Sequence, residues 1–286
     1  MNPPTSKPAP GLTLVAVPIG AARDITLHAI DVLRGADVLA AEDTRSLRHL
    51  MEIHGIPLGD RPLISYHDHN GDRARPRLLQ AMAEGQSVAY ASEAGTPLIA
   101  DPGYDLALAA REAGYEVTTA PGVSAVITAL SLAGLPTDRF LFAGFLPNQS
   151  KARKDALREL AGLQATLVFY ESPKRIDKFL RDAVGELGGE RKAAICRELT
   201  KKFEEIRKGT LAELLDGLGD ATTKGEIVVV IDRAGEKDVS EKFVNDALQE
   251  ELRAGQSLRD AAQSVAEATG WPRRKVYQLG LALQRD

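Results

Sequence analysis

The chain carries a single cysteine, Cys196, among 286 residues. That excludes an intramolecular disulfide and a cysteine-based zinc site. Cys196 itself is read as a small buried hydrophobe rather than a nucleophile. There is no excess of basic residues either: 36 Lys and Arg stand against 40 Asp and Glu, for a net charge of −4 and a pI near 5.8. Non-specific grip on bare nucleic acid rests on neutralising phosphates, so the chain as a whole is not built for it. An RNA surface here has to be a local patch, or has to draw on the shape of a folded partner. No apolar run approaches the roughly 20 residues that cross a bilayer. Residues 1–10 are polar and proline-rich, without the apolar core of a signal peptide, and read as a disordered tail on a cytoplasmic protein. Repeats of solenoid period are absent as well.

What is present is ordinary in bulk and informative in order. Hydrophobic residues make up 44% and charged residues 27%, as in a soluble globular protein. The length predicts two domains rather than one core. Strands are expected over 12–17, 37–41, 62–65, 87–91 and 117–119, with helices over 25–34, 46–54, 73–84 and 104–112 between them. Asp24 is placed to cap the first helix. Such alternation predicts a mostly parallel sheet covered on both faces. Gly134-Leu135-Pro136-Thr137 reads as a linker, giving a first α/β domain over 11–136. A second α/β domain over 137–234 has strands at 140–143, 165–170, 193–197 and 226–231, with a mixed sheet. A helical extension over 235–286 follows, with helices near 240–253, 257–269 and 272–284. Gly270 and Pro272 punctuate it in the manner of a helix-turn-helix with Arg273, Arg274 and Lys275 at the start of its second helix. A helical cap with a solvated basic end is the plainer reading of the same pattern.

The most telling stretch follows the fourth strand: Ala91-Ser92-Glu93-Ala94-Gly95-Thr96-Pro97, running on to Asp101-Pro102-Gly103. A hydroxyl and an acid end the strand, and two residues with almost no side chain let a ligand lie against the backbone. It is neither G-x-G-x-x-G nor a Walker loop, so no nicotinamide or ATP fingerprint is present. In a parallel sheet this turn shares its rim with Pro18-Ile19-Gly20, with Glu42-Asp43-Thr44-Arg45, with Tyr66-His67-Asp68-His69-Asn70 and with Pro121-Gly122-Val123-Ser124-Ala125. Ligands bind at the carboxyl ends of strands in open α/β sheets, and five polar turns on one rim predict a cleft.

Within that rim, Glu42, Asp43 and Arg45 can set a base and a cation beside a hydroxyl and a phosphate; one of them is also expected to cap the next helix. His67 and His69 share a strand face, yet no third ligand accompanies them at metal-site spacing. A metal-free role at the strand end is the expectation. In the second domain the loops at 170–175, 197–202 and 224–226 mix carboxylates, hydroxyls and cations.

Read together, these stretches resemble the tetrapyrrole methylase superfamily, and within it the ribosomal RNA small subunit methyltransferase I family. The resemblance rests on Val17-Pro18-Ile19-Gly20 with Asp24-Ile25-Thr26, Ala41-Glu42-Asp43-Thr44-Arg45, His67-Asp68-His69-Asn70, and Ala94-Gly95-Thr96-Pro97-Leu98-Ile99 with Asp101-Pro102-Gly103-Tyr104. It continues through Gly144-Phe145-Leu146-Pro147, Phe169-Tyr170-Glu171-Ser172, Arg197-Glu198-Leu199-Thr200-Lys201 and Lys224-Gly225-Glu226, spanning roughly residues 11–232 in order. Three positions depart from the family pattern: Ala21 where Asn is usual, Glu93 where Asp is usual, and Val123 where the family tends to Pro.

The resemblance implies S-adenosylmethionine (SAM) held between two α/β domains and transfer of its methyl to a cytidine ribose 2′-oxygen in small-subunit ribosomal RNA. It implies cofactor contacts from Pro18, Gly20, Ser92, Glu93, Ala94, Gly95, Thr96, Pro121, Ser124 and Ala125 in the first domain, and from Leu146, Tyr170 and Glu226 in the second. A ribose hydroxyl is a weak acid, so a base or polarising cation is expected among Asp43, His67, Glu198 and Lys201. Phosphate contacts are expected from Arg45, Arg48, Lys151, Arg153, Lys154, Arg175, Arg273, Arg274 and Lys275. The acidic balance points to the assembled small subunit as substrate, and the family implies a homodimer. A tetrapyrrole C-methyltransferase of the same fold, or a non-catalytic nucleic-acid-binding regulator with a decayed cleft, are the competing readings.

Overall fold

A computed structural model describes residues 7–219, 224–235 and 241–283. Strands β1 (Gly11–Val15), β2 (Val38–Ala41), β3 (Leu63–Ser65), β4 (Ser87–Ala91) and β5 (Val117–Ala120) form one sheet in the order β3-β2-β4-β1-β5. Every pairing in it is parallel. The strand period of two splits each central strand between two cores. Val38 and Ala40 with Val88 and Tyr90 pack under α3 (Gly71–Ala83) and α4 (Gly103–Glu112). Leu39 and Ala41 with Ala89 and Ala91 pack under α1 (Leu27–Gly35) and α2 (Thr44–Ile53). Leu39 is fully buried, and emptying such a site to alanine costs about 2–5 kcal/mol.

The expected cap of α1 shifts by two residues. Asp24 closes a short 3-10 turn, Ala22–Asp24, and Thr26 caps the helix instead, its hydroxyl accepting from the Ala29 N–H at 3.1 Å. The far end of α1 is held by Arg61, whose guanidinium donates to the carbonyls of Leu33 at 2.7 Å and Ala36 at 3.0 Å. A cation there meets the negative end of the helix dipole.

The second sheet contains β6 (Phe140–Phe145), β7 (Thr166–Glu171), β8 (Lys192–Arg197), β9 (Glu205–Thr210) and β10 (Ile227–Ile231), ordered β6-β7-β10-β8-β9. β6 runs parallel to β7, and the other pairings are antiparallel, so the sheet is mixed as expected. The carboxyl ends of β6, β7 and β8 therefore share one edge with the amino ends of β9 and β10. Helices α6 (Ser150–Leu160), α7 (Ile176–Leu187) and α8 (Leu211–Asp216) cover one face.

The other face is covered by α5 (Ala125–Ala133), which follows β5 of the first sheet. Its Val126, Ala129, Leu130 and Ala133 pack on Val168, Ala194, Cys196, Val228 and Val230, and Ile19 and Leu199 join the same cluster. The cut expected at residue 136 thus falls after a helix that already packs on the second sheet. Cys196 is fully buried there, and burial pushes its thiol up to about 11, which leaves it inert.

Beyond the sheets, α9 (Glu241–Arg253), α10 (Leu258–Thr269) and α11 (Arg273–Leu283) build their own core from Val244, Leu248, Ala261, Ala262, Val265 and Val276. Ser257 caps α10 and Gly270, in the left-handed region at φ 76°, ends it. The expected outer ends at residues 240 and 284, and the first six residues of the tail, lie outside the described residues.

Candidate active site between the two sheets

The carboxyl edge of the first sheet and the matching edge of the second enclose a hollow of about 250 Å³. One side is the turn after β4, Ser92 to Thr96, joined by Ile19 from the loop after β1, Glu42 from the end of β2, and Ser124 and Ala125 at the start of α5. Phe145, Tyr170, Glu226 and Ile227 face them from the second sheet. A second hollow, of about 210 Å³, shares Ser92 and Glu93 and is bounded by Pro18, Gly20 and the exposed side of α2.

Backbone contacts hold the first wall. Val17 and Gly95 exchange N–H to carbonyl hydrogen bonds at 2.9 and 3.0 Å, and the Ser92 hydroxyl donates to the Gly95 carbonyl at 3.0 Å. Gly95 sits at φ +74°, and a Cβ there would lie 3.2 Å from Ile19, so glycine serves both the turn and the close approach. Thr96 donates to the Val123 carbonyl at 2.9 Å; this is a main-chain acceptor that valine offers as well as the family's proline. Leu98 and Ala100 are also left-handed, at φ 72° and 56°. Asp101 braces the turn: its carboxylate accepts from the Leu98 N–H at 3.3 Å, the Gly103 N–H at 2.7 Å and the Tyr90 hydroxyl at 2.9 Å. Strained backbone of this kind gathers at functional sites.

The second wall is tied to the first through residues 198–204. Glu198 and Thr200 are left-handed, at φ 50° and 64°. The Thr200 hydroxyl accepts from the Ala21 N–H at 3.0 Å. Because the partner is a backbone N–H, the departure at Ala21 leaves this tie intact. Gly20 makes it possible, since a Cβ there would stand 2.7 Å from the Thr200 hydroxyl and 2.9 Å from the Leu199 carbonyl. Lys201 bridges two carboxylates, Glu198 at 2.9 Å and Glu226 at 2.9 Å.

Electrostatics sorts the expected acids and bases. Burial raises the pKa of Glu42, and the neighbouring Asp101 and Glu93 carboxylates add to the rise against a hydrogen bond from the Glu93 N–H at 3.2 Å. Asp43, next to it, caps α2: it accepts from the Arg45 N–H at 2.8 Å, which holds its carboxyl below the usual range. Lys201 is pulled down by burial, but Glu198 and Glu226 more than offset this and keep it above its ordinary value. Glu198 is lowered, chiefly by Lys201. Burial, with Glu226 nearby, raises Tyr170.

Of the residues expected to hold the cofactor, Ser92, Glu93, Ala94, Gly95, Thr96, Ser124, Ala125, Tyr170 and Glu226 meet around the larger hollow, while Pro18 and Gly20 border the smaller. Leu146, one residue past the end of β6, lies in the second core instead, while Phe145 lines the cleft. Pro121 lines neither hollow; its carbonyl accepts from the Thr26 hydroxyl at 3.4 Å. His67 lines neither hollow; its N–H is held by Asn70 at 2.9 Å and its ring stands edge-on to His69 at 6.0 Å. Among the described residues no three His, Cys, Asp or Glu side chains form a metal-holding group.

Two expected phosphate contacts are spent inside the protein. Arg153 is 3% exposed and donates to Asp182 at 2.7 Å and to the Asn148 carbonyl at 3.0 Å. Arg175 pairs with Glu171 at 3.2 Å and donates to the Leu146 carbonyl at 2.6 Å. Lys154 shares Asp182 at 3.7 Å. Arg45, Arg48, Lys151, Arg273, Arg274 and Lys275 are exposed, and Lys275 lies 4.2 Å above the Trp271 ring. The site residues expected from the sequence left out Ile19, Glu42, Ile99, Ala100, Asp101, Phe145 and Ile227, which also line the hollow; the buried Tyr90 hydroxyl, which needs a partner, was the available signal for Asp101.

Fold and site together define a methyltransferase of the tetrapyrrole methylase class: residues 11–215 match the family Tetrapyrrole (Corrin/Porphyrin) Methylases. Residues 245–284 match the RsmI C-terminal HTH domain. The chain belongs to the ribosomal RNA small subunit methyltransferase I family. It is 47% identical to the protein of that name from Mesorhizobium japonicum, covering 96% of this chain and 92% of the relative, and 43% identical to that of Escherichia coli O157:H7, covering 96% and 95%. Among solved structures it is similar to uroporphyrin-III-C-methyltransferase of Thermus thermophilus (TM-score 0.56, 24% identity, 77% of this chain and 93% of that one). It is also similar to a uroporphyrin-III C-methyl transferase from Thermus thermophilus complexed with S-adenyl homocysteine (TM-score 0.54, 19% identity, 77% of this chain and 96% of that one). These two likenesses show the fold.

Proposed function

We infer that this protein uses SAM to methylate a cytidine ribose 2′-oxygen in small-subunit ribosomal RNA, and that it acts on the assembled small subunit in the cytoplasm. Near-full-length relatives carry the ribosomal RNA name, which favours this reading over a tetrapyrrole substrate. The observation that carries the cofactor assignment is the charge of the larger hollow: Glu42, Glu93, Asp101 and Glu226 line it, and among the described residues no Lys, Arg or His does. That donor set suits a ligand bearing a sulfonium and an ammonium, while Phe145 and Tyr170 offer flat apolar surface to a purine.

When bound, SAM supplies a methyl group already activated by its sulfonium. The chain's part is to hold the acceptor in line and to take its proton. Glu42 is the residue placed for this. Its carboxylate lines the hollow, and its raised pKa makes it a stronger base than an ordinary glutamate. Asp43 is engaged as a helix cap, and Glu198 is neutralised by Lys201. Lys201, held protonated, acts as a cation that steadies negative charge on oxygen rather than as a base. Residues 92–96 and Ser124–Ala125 hold the cofactor against the backbone.

A homodimer accords with the apolar side chains left on the surface. Tyr104, Ile127 and Phe140 are between 43% and 60% exposed, and among the described residues β5 and β6 are open sheet edges that need cover. Sedimentation equilibrium should return twice the chain mass, and a monomer at micromolar concentration would overturn this part. The activity is tested by mass spectrometry of small-subunit rRNA nucleosides from a deletion strain. One 2′-O-methylated cytidine should be missing; an unchanged nucleoside profile rejects the assignment.

A further inference from the structure

The open edge of the first sheet carries a second feature outside the cleft. Among the described residues β3 pairs only with β2, so its outer side is an open sheet edge. Between that edge and α3 runs an open groove of about 490 Å³. Its outer wall is Arg73 and Arg77, four residues apart on one face of α3, while Ala74 and Leu78 turn to the core. Both arginines are exposed, and neither guanidinium has an ion pair or hydrogen bond to another described residue. Their neighbour Arg75 shows the contrast: it pairs with Asp105 at 3.4 Å and donates to the Tyr66 hydroxyl at 3.3 Å. Asp72 faces Arg75, at 3.8 Å. The groove's floor is ordered by Asn70, whose amide donates to the Ser65 carbonyl at 3.1 Å.

Two unpaired guanidiniums on one helix face of an acidic protein need an anionic partner to be more than solvated charge. β3 ends on the same rim as Glu42, one strand away, so the groove leads toward the cleft. We propose that this groove binds the sugar–phosphate backbone of the acceptor RNA beside the nucleotide that enters the cleft, an inference that rests on the RNA reading above. Guanidinium forks meet phosphate oxygens in pairs, and such contacts set register and orientation without reading sequence.

The test uses the full chain with Arg73→Ala/Arg77→Ala, the charge-keeping pair Arg73→Lys/Arg77→Lys, and a control pair, Arg111→Ala/Lys192→Ala, that removes the same charge from exposed sites elsewhere. Three quantities are read: SAM affinity by calorimetry, KM for small subunits, and the salt dependence of binding to naked small-subunit rRNA. The alanine pair should keep wild-type SAM affinity and raise KM about tenfold. It should flatten the slope of log K against log salt by about 1.4 to 1.8, two phosphates at roughly 0.7 to 0.9 each. The lysine pair should recover most of the affinity, and the control should move neither KM nor slope by as much. A KM and slope equal to the control's would overturn the proposal. So would a defect seen with subunits but not with naked rRNA, since a protein would then fill the groove. Failure of the RNA reading itself is distinct: the wild-type chain would then label no rRNA.

Discussion

Glu42 and Asp43 are adjacent carboxylates given opposite work by a one-residue turn of the chain. Glu42 ends a strand and points into the hollow, while Asp43 begins a helix and satisfies its first N–H groups. Glu42→Gln should lower kcat by about 10²-fold, within the usual contribution of a general base. The wild-type rate should fall on the acid side at a pH above the ordinary glutamate value of 4.5, and that limb should vanish in the glutamine variant. Asp43→Ala should instead cost about 1 kcal/mol of stability, visible in thermal melting, and leave kcat within a few-fold. The sequence showed both acids at this rim, and the candidate bases drawn from it included Asp43 and not Glu42, because which of the two caps the helix depends on where the strand stops. The same limit applied to Leu146 and Phe145, where a single step at the end of β6 decides which side chain faces the cleft. Arg153 was misjudged for another reason: its partner Asp182 lies on a different helix, and no local pattern joins the two.

Among the elements, residues 198–204 form the tie between the walls, and their behaviour follows from charge and space. Glu198 has a folded pKa lowered below 4.5, chiefly by Lys201. Its contribution is therefore complete above the unfolded value and is lost as pH falls through the folded one. Urea melts from pH 6 down to pH 3 should show wild type losing more stability than Glu198→Gln; parallel curves would refute the pairing's role. Gly20→Ala would push a methyl against the Leu199 carbonyl at 2.9 Å, a main-chain atom that cannot swing aside. Overpacking of this kind costs about 1–3 kcal/mol, and weaker SAM binding should accompany it in calorimetry. The parallel first sheet was legible from strand–helix alternation, since apolar runs broken by turn residues are local signals. β9 and α8 were not anticipated. β9 is a half-exposed edge strand rich in charge, which hides the alternation of a strand, although Thr210 and Glu213 do spell a capping box. The docking of α5 on the second sheet was likewise out of reach, because a helix that is apolar all round does not declare which sheet it will cover.

Taken as a whole, the molecule carries net negative charge yet is assigned to an RNA-containing substrate, so its cations must be concentrated where they count. The three C-terminal helices share a core that includes no residue of either sheet, and Arg273, Arg274 and Lys275 are exposed at the start of α11. Arg273→Glu/Arg274→Glu should weaken binding to small subunits at least tenfold while SAM affinity and thermal stability stay at wild type. Unchanged subunit binding would mark these helices as a cap with a solvated end. The central claim joins the acidic cleft to one ribose oxygen. It is tested most directly by incubating purified protein and methyl-labelled SAM with small subunits from a deletion strain, offering a tetrapyrrole in parallel, and resolving the labelled products by mass spectrometry. Label confined to a single 2′-O-methylcytidine is the predicted result; label on a nucleobase or on the tetrapyrrole, or none at all, would contradict it.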